Sequence, residues 1–556
     1  MEKLVECVPN ISEGQNRAVI EEIASAARVE GVEVLDIDPG KATNRTVITF
    51  AGSPAGALEG AFNLIKRASE LIDMRRHKGA HPRIGATDVV PFVPLQGVSM
   101  QECVELARKL AARVARELNI PVYLYEAAAV SPERRSLACC RDGEYEGLAK
   151  KLKQAKWKPD FGKAQFNARS GLTVIGARPF LVAYNVNLNT RDRKLATRIA
   201  QRIRESGHNR KNEDGSTTFV PGMFKNCRAV GWFIEEYGIA QISINLTNFE
   251  ITGMHDVFEA CSELAREMGL RVTGSEIVGL VPKAALLASG RYYLKKQGAS
   301  CGVSEARLIE TAIRSLGLTD VSSFDPKTRI IENRINTRTG LIDLKTSDFV
   351  DSVASDSPAP GGGSVSALAG ALSSGLSSMV AALSFAKEKE DQDKCEALEV
   401  IGIKAQALKA ALVSLIDEDT RAFDKVMDAF RIKAGTPAEE KHKTGCIIEA
   451  YKLAASVPFE TAEKCLAALE LAGEVLSLGI ESAFSDSAVA AQMAYAGLQG
   501  ASYNVRINLK ELKKLATGHK TELNSVRAMR AKLKKLSAQA ARLFAALNRR
   551  ISARLV

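Results

Sequence analysis

The stretch RRHKGAHPRIGATD, residues 75–88, packs two of the chain's six histidines and four cationic side chains into nine positions. Beside Arg and Lys the imidazolium form of a loop histidine is disfavoured, which leaves a neutral ring able to act as a base. The cations suit recognition of a carboxylate or a phosphate. His77 and His81 are four apart, the spacing of a helical metal pair. Gly79, Pro82 and Gly85 break a helix there, and no cysteine or suitable acid supplies a third ligand, so no metal site is expected. An ordinary basic surface loop fits the local pattern as well.

A second concentration of chemistry lies in ALKAALVSLIDEDTRAFDKVMDAF. Leu408, Leu412, Leu415, Phe423, Val426 and Phe430 recur at helical spacing, and Asp419 falls on their stripe while Asp417 and Asp424 do not. An acid on a buried face is costly unless it is paired or protonated. Two readings follow: a structural hydrogen-bond network, or a carboxylate with a shifted pKa in a cleft between helices. Asp486 shares a face with Val489, Ala490 and Met493, and Asn504 and Asn508 stand one turn apart. In SPAPGGGSVS, Gly361, Gly362 and Gly363 run into a helix start, where bare amides could receive an anion or a flat ligand. The same glycines also make a hinge.

These residues need elements to position them. Over the first 325 residues, strand-like runs (LVECVP, GVEVLDID, RTVITFAG, DVVPFVPL) alternate with helical periods near 15–27 and 55–72. The order is β-α-β-β-α-β, a ferredoxin-like unit, extended by a helix over 100–118 and the strand PVYLYE. The order recurs from RPFLVAYNVNL to LRVTGSEIVGLVP, with residues 210–222 read as a mobile polar loop. After Ser323 the texture changes to a connector and then to nearly continuous helical period. The fold class expected is therefore α+β, two ferredoxin-like α/β subdomains followed by an all-α bundle. The boundaries expected are 1–176, 177–325, a linker over 326–344, and 345–556.

The net charge of +11 is concentrated at one end: residues 506–556 hold 14 Lys or Arg against 2 Asp or Glu, and the rest is nearly neutral. There Leu533, Leu536, Ala540, Leu543, Leu547 and Ile551 form the apolar stripe of a helix with a charged outer face. No aromatic interleaving accompanies the charge, so nucleic acid is not the expected partner. Residues 361–386 carry no charge, but seven serines and clustered glycines make a poor spanning helix, and close helix contacts are expected instead. Ten cysteines without a CxxC pair, and a start without an apolar leader, point to a reduced cytoplasmic setting.

Longer motifs now bear on the question: ECVPNISEG, TNRTV, LIDMRRHKGAHPRIGATDVVPF, IPVYLYEAA, WKPDFG, GARPFLVAYNVNL, PKTRIIE, APGGGSV, LIDEDTRAF and YNVRINL. In this order they make the chain resemble formimidoyltransferase-cyclodeaminases, bifunctional folate enzymes of histidine degradation, over essentially its full length. The resemblance implies transfer of a formimidoyl group from N-formimidoyl-L-glutamate to tetrahydrofolate. Closure of that product to 5,10-methenyltetrahydrofolate, with release of ammonia, would follow. It implies His81 as the transferase base and Asp419 as the cyclodeaminase acid. The implied folate stretch is Gly162, Lys163, Ala164, Gln165, Phe166, Asn167, Ala168, Arg169, Ser170 and Gly171.

Supporting roles are expected for Asn10, Asp38 (orienting His81), His77, Arg83 (holding a substrate carboxylate), Gly361, Gly362, Gly363 and Asp486. The co-substrate expected is tetrahydrofolate, polyglutamylated, with no metal. The resemblance also implies a homo-oligomer, and no membrane span is expected. Two alternatives stay open: a monofunctional transferase whose bundle is an assembly module, and a formyl rather than formimidoyl donor.

Overall fold

The computed structural model describes residues 3–40, 44–79, 82–212, 214–235, 237–321, 323–335, 340–388, 390–516 and 520–555. The chain divides into two compact units, Met1–Ser289 with Ala312–Thr337, and Gly290–Thr311 with Arg338–Val556.

The first unit opens with β1 (Leu4–Cys7), β2 (Asn10–Ile11), α1 (Arg17–Ser25), β3 (Val32–Gly40) and β4 (Arg45–Gly52). There follow α2 (Pro54–Leu71), β5 (Thr87–Gln96), α3 (Met100–Glu117) and β6 (Val122–Glu126). Two short helices, α4 (Leu137–Arg141) and α5 (Glu144–Lys151), precede β7 (Thr173–Ala177). The strand expected over LVECVP, residues 4–9, ends at Cys7, and a short β2 resumes beyond Pro9, which has no N–H to give a ladder. Both β1 and β2 pair with β4 and β5. The sheet runs β3, β4, β1 with β2, β5, β7, β6, antiparallel as far as β5 and parallel beyond.

Alternation along these strands sorts the two faces. Val5, Cys7, Ile48, Phe50, Val90 and Phe92 join a core with α1, α2 and α3. Glu6, Val8 and Asn10 take the opposite face and line a cavity there. The helix starts are legible in their caps: Ser53 accepts from Gly56 ahead of Pro54, and Ser99 and Glu102 bond reciprocally.

The second half of this unit comprises β8 (Val182–Leu188), α6 (Arg193–Ile203), β9 (His208–Lys211), β10 (Thr217–Val220) and β11 (Cys227–Ile234). It continues with β12 (Ile239–Leu246), α7 (Met254–Glu267) and β13 (Val272–Val278). Its antiparallel sheet, ordered β11-β12-β8-β13, repeats the βαββαβ order of the first. The segment read as a mobile loop, 210–222, is instead largely the hairpin β9–β10, with Arg210 opposite Thr218 and Lys211 opposite Thr217. Asp214 braces its turn by accepting from the Ser216 amide at 2.9 Å and hydroxyl at 2.6 Å. Its polar composition concealed the strand-forming run Thr217, Thr218, Phe219 and Val220.

Helices α8 (Lys283–Lys296) and α9 (Glu305–Ser315) contain the divide between the units, and the short α10 (Pro326–Arg329) and α11 (Ile331–Ile335) follow. The second unit is helical: α12 (Thr346–Val353), α13 (Gly362–Lys387), α14 (Gln392–Arg431), α15 (Pro437–Leu478), α16 (Phe484–Leu515) and α17 (Lys520–Leu555). Small residues let α13 and α16 touch backbone to backbone. A Cβ on Gly497 would stand 2.7 Å from the Ser366 carbonyl and 3.2 Å from the Gly370 amide. Helix α13 is long and apolar enough to cross a membrane by length and composition, and half of its most apolar window is buried in the bundle. Three of its buried serines bond back on their own helix, Ser366 to Gly362 O at 2.5 Å, Ser374 to Gly370 O at 3.0 Å and Ser384 to Val380 O at 2.7 Å. The apolar stripe of α17 packs on the bundle as expected, with Leu533, Ala540, Leu547 and Ile551 buried. Phe430 departs from its expected place: it is 45% exposed and meets Tyr451 edge-on.

Candidate active sites

Three sequence-distant loops of the first unit are laced together at Asn44. Its Oδ1 accepts from the Gly14 amide at 2.9 Å, and its Nδ2 donates to the Lys78 carbonyl at 2.8 Å. Its own carbonyl accepts from His77 Nε2 at 2.7 Å. The other ring nitrogen, Nδ1, receives Arg83 Nε at 3.2 Å, so both ring nitrogens of His77 are engaged. His81 lies outside the described residues.

Arg83 does not fit the role expected of it. It is buried, and its fork is filled by Glu146 at 2.7 and 2.8 Å and Glu144 at 2.9 Å. It positions His77 instead of offering itself to a substrate. Arg75 is likewise engaged by Asp73, whose carboxyl it draws down to about 2. Arg76 and Lys78 remain exposed.

The stretch Gly162–Gly171 runs beside this loop. The Met74 amide donates to Arg169 O at 2.9 Å, and the Ala86 amide donates to Ser170 O at 2.9 Å. Arg169 reaches the carbonyls of Ser69, at 3.1 Å, and Glu70 at the end of α2, a favourable place for a cation. Asn167 Oδ1 accepts from the amides of Arg169 and Ser170. Gly171 has φ +68°, and a side chain there would run into Ile84 and Gly85, so only glycine permits the bridge between residues 85 and 171. Phe166 is 36% exposed, with its ring 5.4 Å from that of Tyr145. Gln165 closes a tight turn on Lys163 O, and the Ala168 carbonyl accepts from Tyr145 OH at 2.5 Å. Ala164 is exposed, and Gly162 has φ +88°.

On the open face of the first sheet lies a cavity of about 390 Å3, within the size range of small-molecule sites. Asn10 and Asp38 both line it, in one row across β3, β4, β2 and β5: Asp38 opposite Val47, which is opposite Asn10, which is opposite Val89. Glu6, Asp36, Arg45, Arg141 and Arg178 join them. Asn10 is 5% exposed, and its Oδ1 has no partner among the described residues; Arg45 Nε has none either. Burial lowers the Arg45 pKa, with Arg141 adding to the effect, and burial raises Asp36, with Asp38 adding to it. Arg141 is tied to Asp88.

In the second unit the glycine-rich helix start and Asp419 meet. Asp419 accepts from the backbone and hydroxyl of Ser364, the second at 3.5 Å. A Cβ on Gly363 would overlap the Asp419 carboxylate, so the missing side chain is what lets that carboxylate sit on the first turn of α13. Burial nevertheless dominates and raises the Asp419 pKa above that of a free aspartate, against the two Ser364 contacts. Gly362 faces Asn504, whose Nδ2 would be 3.3 Å from an added Cβ, and Gly361 caps α13. Asp417 is spent on structure, accepting from the Leu341 amide at 2.8 Å. Asp486 is not brought to this site. It stands in the first turn of α16, 18 residues before Asn504, about 27 Å along the axis at 1.5 Å per residue. Val489, expected beside it on a buried face, is 50% exposed.

Three family descriptions match successive parts of the chain: "Formiminotransferase domain, N-terminal subdomain" over residues 4–178, "Formiminotransferase domain" over 183–336, and "Formiminotransferase-cyclodeaminase" over 345–525. The formimidoyltransferase-cyclodeaminase of Rattus norvegicus is 42% identical over 516 residues, 92% of this chain and 93% of that protein. That of Dictyostelium discoideum is 42% identical over 523 residues, 92% and 94% of the two chains. The chain belongs to the formimidoyltransferase-cyclodeaminase family. Its first unit alone parallels a shorter relative, the glutamate formimidoyltransferase of Streptococcus pyogenes serotype M1, 45% identical over 296 residues, 53% of this chain and 94% of that one.

With the family known, the residues that sequence reading passed over stand out. Glu6, Asp36 and Arg45 converge through strand register and alternation, and Arg141 at the end of α4 and Arg178 just after β7 reach the same cavity. One signal was available: Glu6 and Asn10 are polar residues two steps either side of Val8 on one face of an apolar strand.

Proposed function

We propose that this family member transfers the formimidoyl group of N-formimidoyl-L-glutamate to tetrahydrofolate and then closes the product to 5,10-methenyltetrahydrofolate, releasing ammonia. The observation that carries this is one chain with two separate sites, a mixed-charge cavity in the first unit and a buried acid on a glycine helix start in the second. Formimidoylglutamate bears a formamidinium and two carboxylates, which suits a cavity holding both carboxylates and guanidinium groups. In transfer, nitrogen 5 of folate attacks the amidine carbon and gives its proton to His81, for which Asp38 and His77 are supporting groups. In closure, nitrogen 10 attacks the same carbon and loses its proton to solvent, and the Asp419 carboxyl protonates the formimidoyl nitrogen, whose bond to that carbon then breaks to release ammonia. Phe166 offers an aromatic face to the folate ring.

The enzyme works in the cytoplasm, a reading supported by ten free thiols. It assembles as a homo-oligomer, a reading supported by the exposed stripe of Val365, Leu372, Met379 and Leu383 on α13. Its folate is polyglutamylated and is gathered by the cationic face of α17, where Arg527, Arg530, Lys534 and Lys535 are exposed. Changing these four to Gln is expected to raise KM for polyglutamylated tetrahydrofolate about tenfold, since screened surface attraction works at that scale. The monoglutamate KM should stay put; equal effects on both folates, or none, contradict the role.

The test of the function is the absorbance of 5,10-methenyltetrahydrofolate formed from formimidoylglutamate and tetrahydrofolate, with ammonia measured in parallel. One ammonia per methenyl product is expected. Transfer without closure, or a preference for formylglutamate, contradicts the proposal.

A further inference from the structure

Glu6 is the residue in the first sheet that packing alone does not explain. It is 3% exposed in a strand otherwise apolar on this side, lines the cavity, and has no hydrogen bond or ion pair to its carboxyl among the described residues. It lies opposite Val93 on β5, and Arg178 follows directly on β7, its amide bonded to Phe92 O at 3.1 Å. Glu6 and Arg178 therefore flank Val93 on the open face, and Arg178 is the cation that Glu6 feels. Arg178 itself spends one nitrogen on Pro179 O at 3.0 Å and contacts Tyr125; Glu126 feels its charge, but no carboxylate is hydrogen-bonded to it among the described residues.

We propose that Arg178 and Glu6 form the amino-acid end of the donor site. Arg178 holds the α-carboxylate of formimidoylglutamate, and Glu6 protonates the departing α-nitrogen. The inference rests on the transferase reading and deepens it. In the donor, the α-carboxylate carbon and the α-nitrogen are bonded to the same carbon, so a guanidinium that grips the first places a neighbouring acid beside the second. When the tetrahedral intermediate breaks, the bond between the formimidoyl carbon and the α-nitrogen opens with its electron pair on nitrogen. That nitrogen takes the Glu6 proton and leaves as the amine of glutamate, while the formimidoyl carbon keeps its new bond to nitrogen 5. The proton lost from nitrogen 5 goes to His81, and exchange with water returns both groups to their starting forms.

The surroundings suit an acid that carries its proton at work. Burial pushes Glu6 up to about 7; Arg178 opposes this, and Glu332 on α11 reinforces it. Glu332 is engaged by the Lys283 amide at 2.9 and 3.1 Å. The cavity's remaining charged groups are Asp36 and Asp38 on β3, Arg45 on β4, and Arg141 on α4. A raised carboxyl is protonated below its pKa, so transfer should decline as pH rises through about 7.

The experiment uses the full-length enzyme as wild type, Glu6→Gln and Arg178→Gln, with transfer and closure measured separately. Glu6→Gln should lower transferase kcat by about 10²- to 10³-fold, the usual worth of a general acid, with KM for formimidoylglutamate little changed. It should also abolish the decline above pH 7, which a merely structural effect would leave in place. Arg178→Gln should raise KM for formimidoylglutamate about 10- to 100-fold, the scale of a lost charge-assisted contact. Closure of 5-formimidoyltetrahydrofolate supplied directly should proceed in both variants, showing a folded chain. The inference is overturned if Glu6→Gln keeps wild-type kcat or the same alkaline decline, or if Arg178→Gln leaves that KM unchanged. Wild type without transfer would sink the functional reading itself, a result distinct from either.

Discussion

Asp419→Asn is expected to stop ring closure while formimidoyl transfer continues, so that 5-formimidoyltetrahydrofolate accumulates. Asparagine keeps the size of the side chain and its place on the first turn of α13, but has no acidic proton to give the leaving ammonia. The loss expected is about 10²- to 10⁴-fold in cyclodeaminase kcat. Gly363→Ala should approach the same result by another route, because a methyl there overlaps the carboxylate. The pH dependence has a definite sign. Burial raises the Asp419 pKa, so the acid form persists to higher pH than in a free aspartate, and closure should fall as pH rises through that raised value. Rapid-quench analysis of folate species over a pH series separates these effects. Closure by Asp419→Asn at the wild-type rate would remove Asp419 from the chemistry.

Asp160→Ala is expected to cause a large loss of stability in the first unit. Arg134 is 5% exposed, ion-paired with Asp160, and donates to the Lys156 carbonyl at 3.1 Å and the Lys158 carbonyl at 2.6 Å. Its guanidinium lies over Tyr123 at 4.9 Å and Trp157 at 5.9 Å. Asp160 also accepts from the Leu124 amide at 2.8 Å, tying β6 to the segment that leads into Gly162. Removing the carboxylate leaves a cation buried without its counter-ion, which costs about 3–5 kcal/mol. A denaturation midpoint lowered accordingly is expected, together with a raised KM for tetrahydrofolate, because the anchor of the Gly162–Gly171 stretch is lost. Unchanged stability would mean that the aromatic and carbonyl contacts suffice for Arg134.

What the sequence could show was whatever depends on local period. The apolar stripe of α14 singled out Asp419, helical period placed α2 and α3, and the glycine run placed the start of α13, each within a residue or two. The βαββαβ order was legible in both halves for the same reason. Contacts between distant segments were not. Arg83 looked free because the carboxylates that fill its fork, Glu144 and Glu146, stand 61 and 63 residues away. Glu6 and Arg178 meet only because β1 and β7 both flank β5. Asp486 and Asp419 are both acids on helix faces, and only position along α16 separates them. The hairpin β9–β10 was hidden by side chains that are polar because they are exposed, not because they lack order.

The central claim is that one chain performs two reactions at two sites. The direct test is the appearance of 5,10-methenyltetrahydrofolate with His81→Ala, with Asp419→Asn, and with the two variants mixed. Alone, His81→Ala should make no intermediate, and Asp419→Asn should make it without closing it. Mixed in equal amounts, they should regain methenyl product after a lag while the intermediate passes between molecules. Normal product from either variant alone, or a silent mixture in which each variant still performs its remaining half-reaction, would contradict the two-site account.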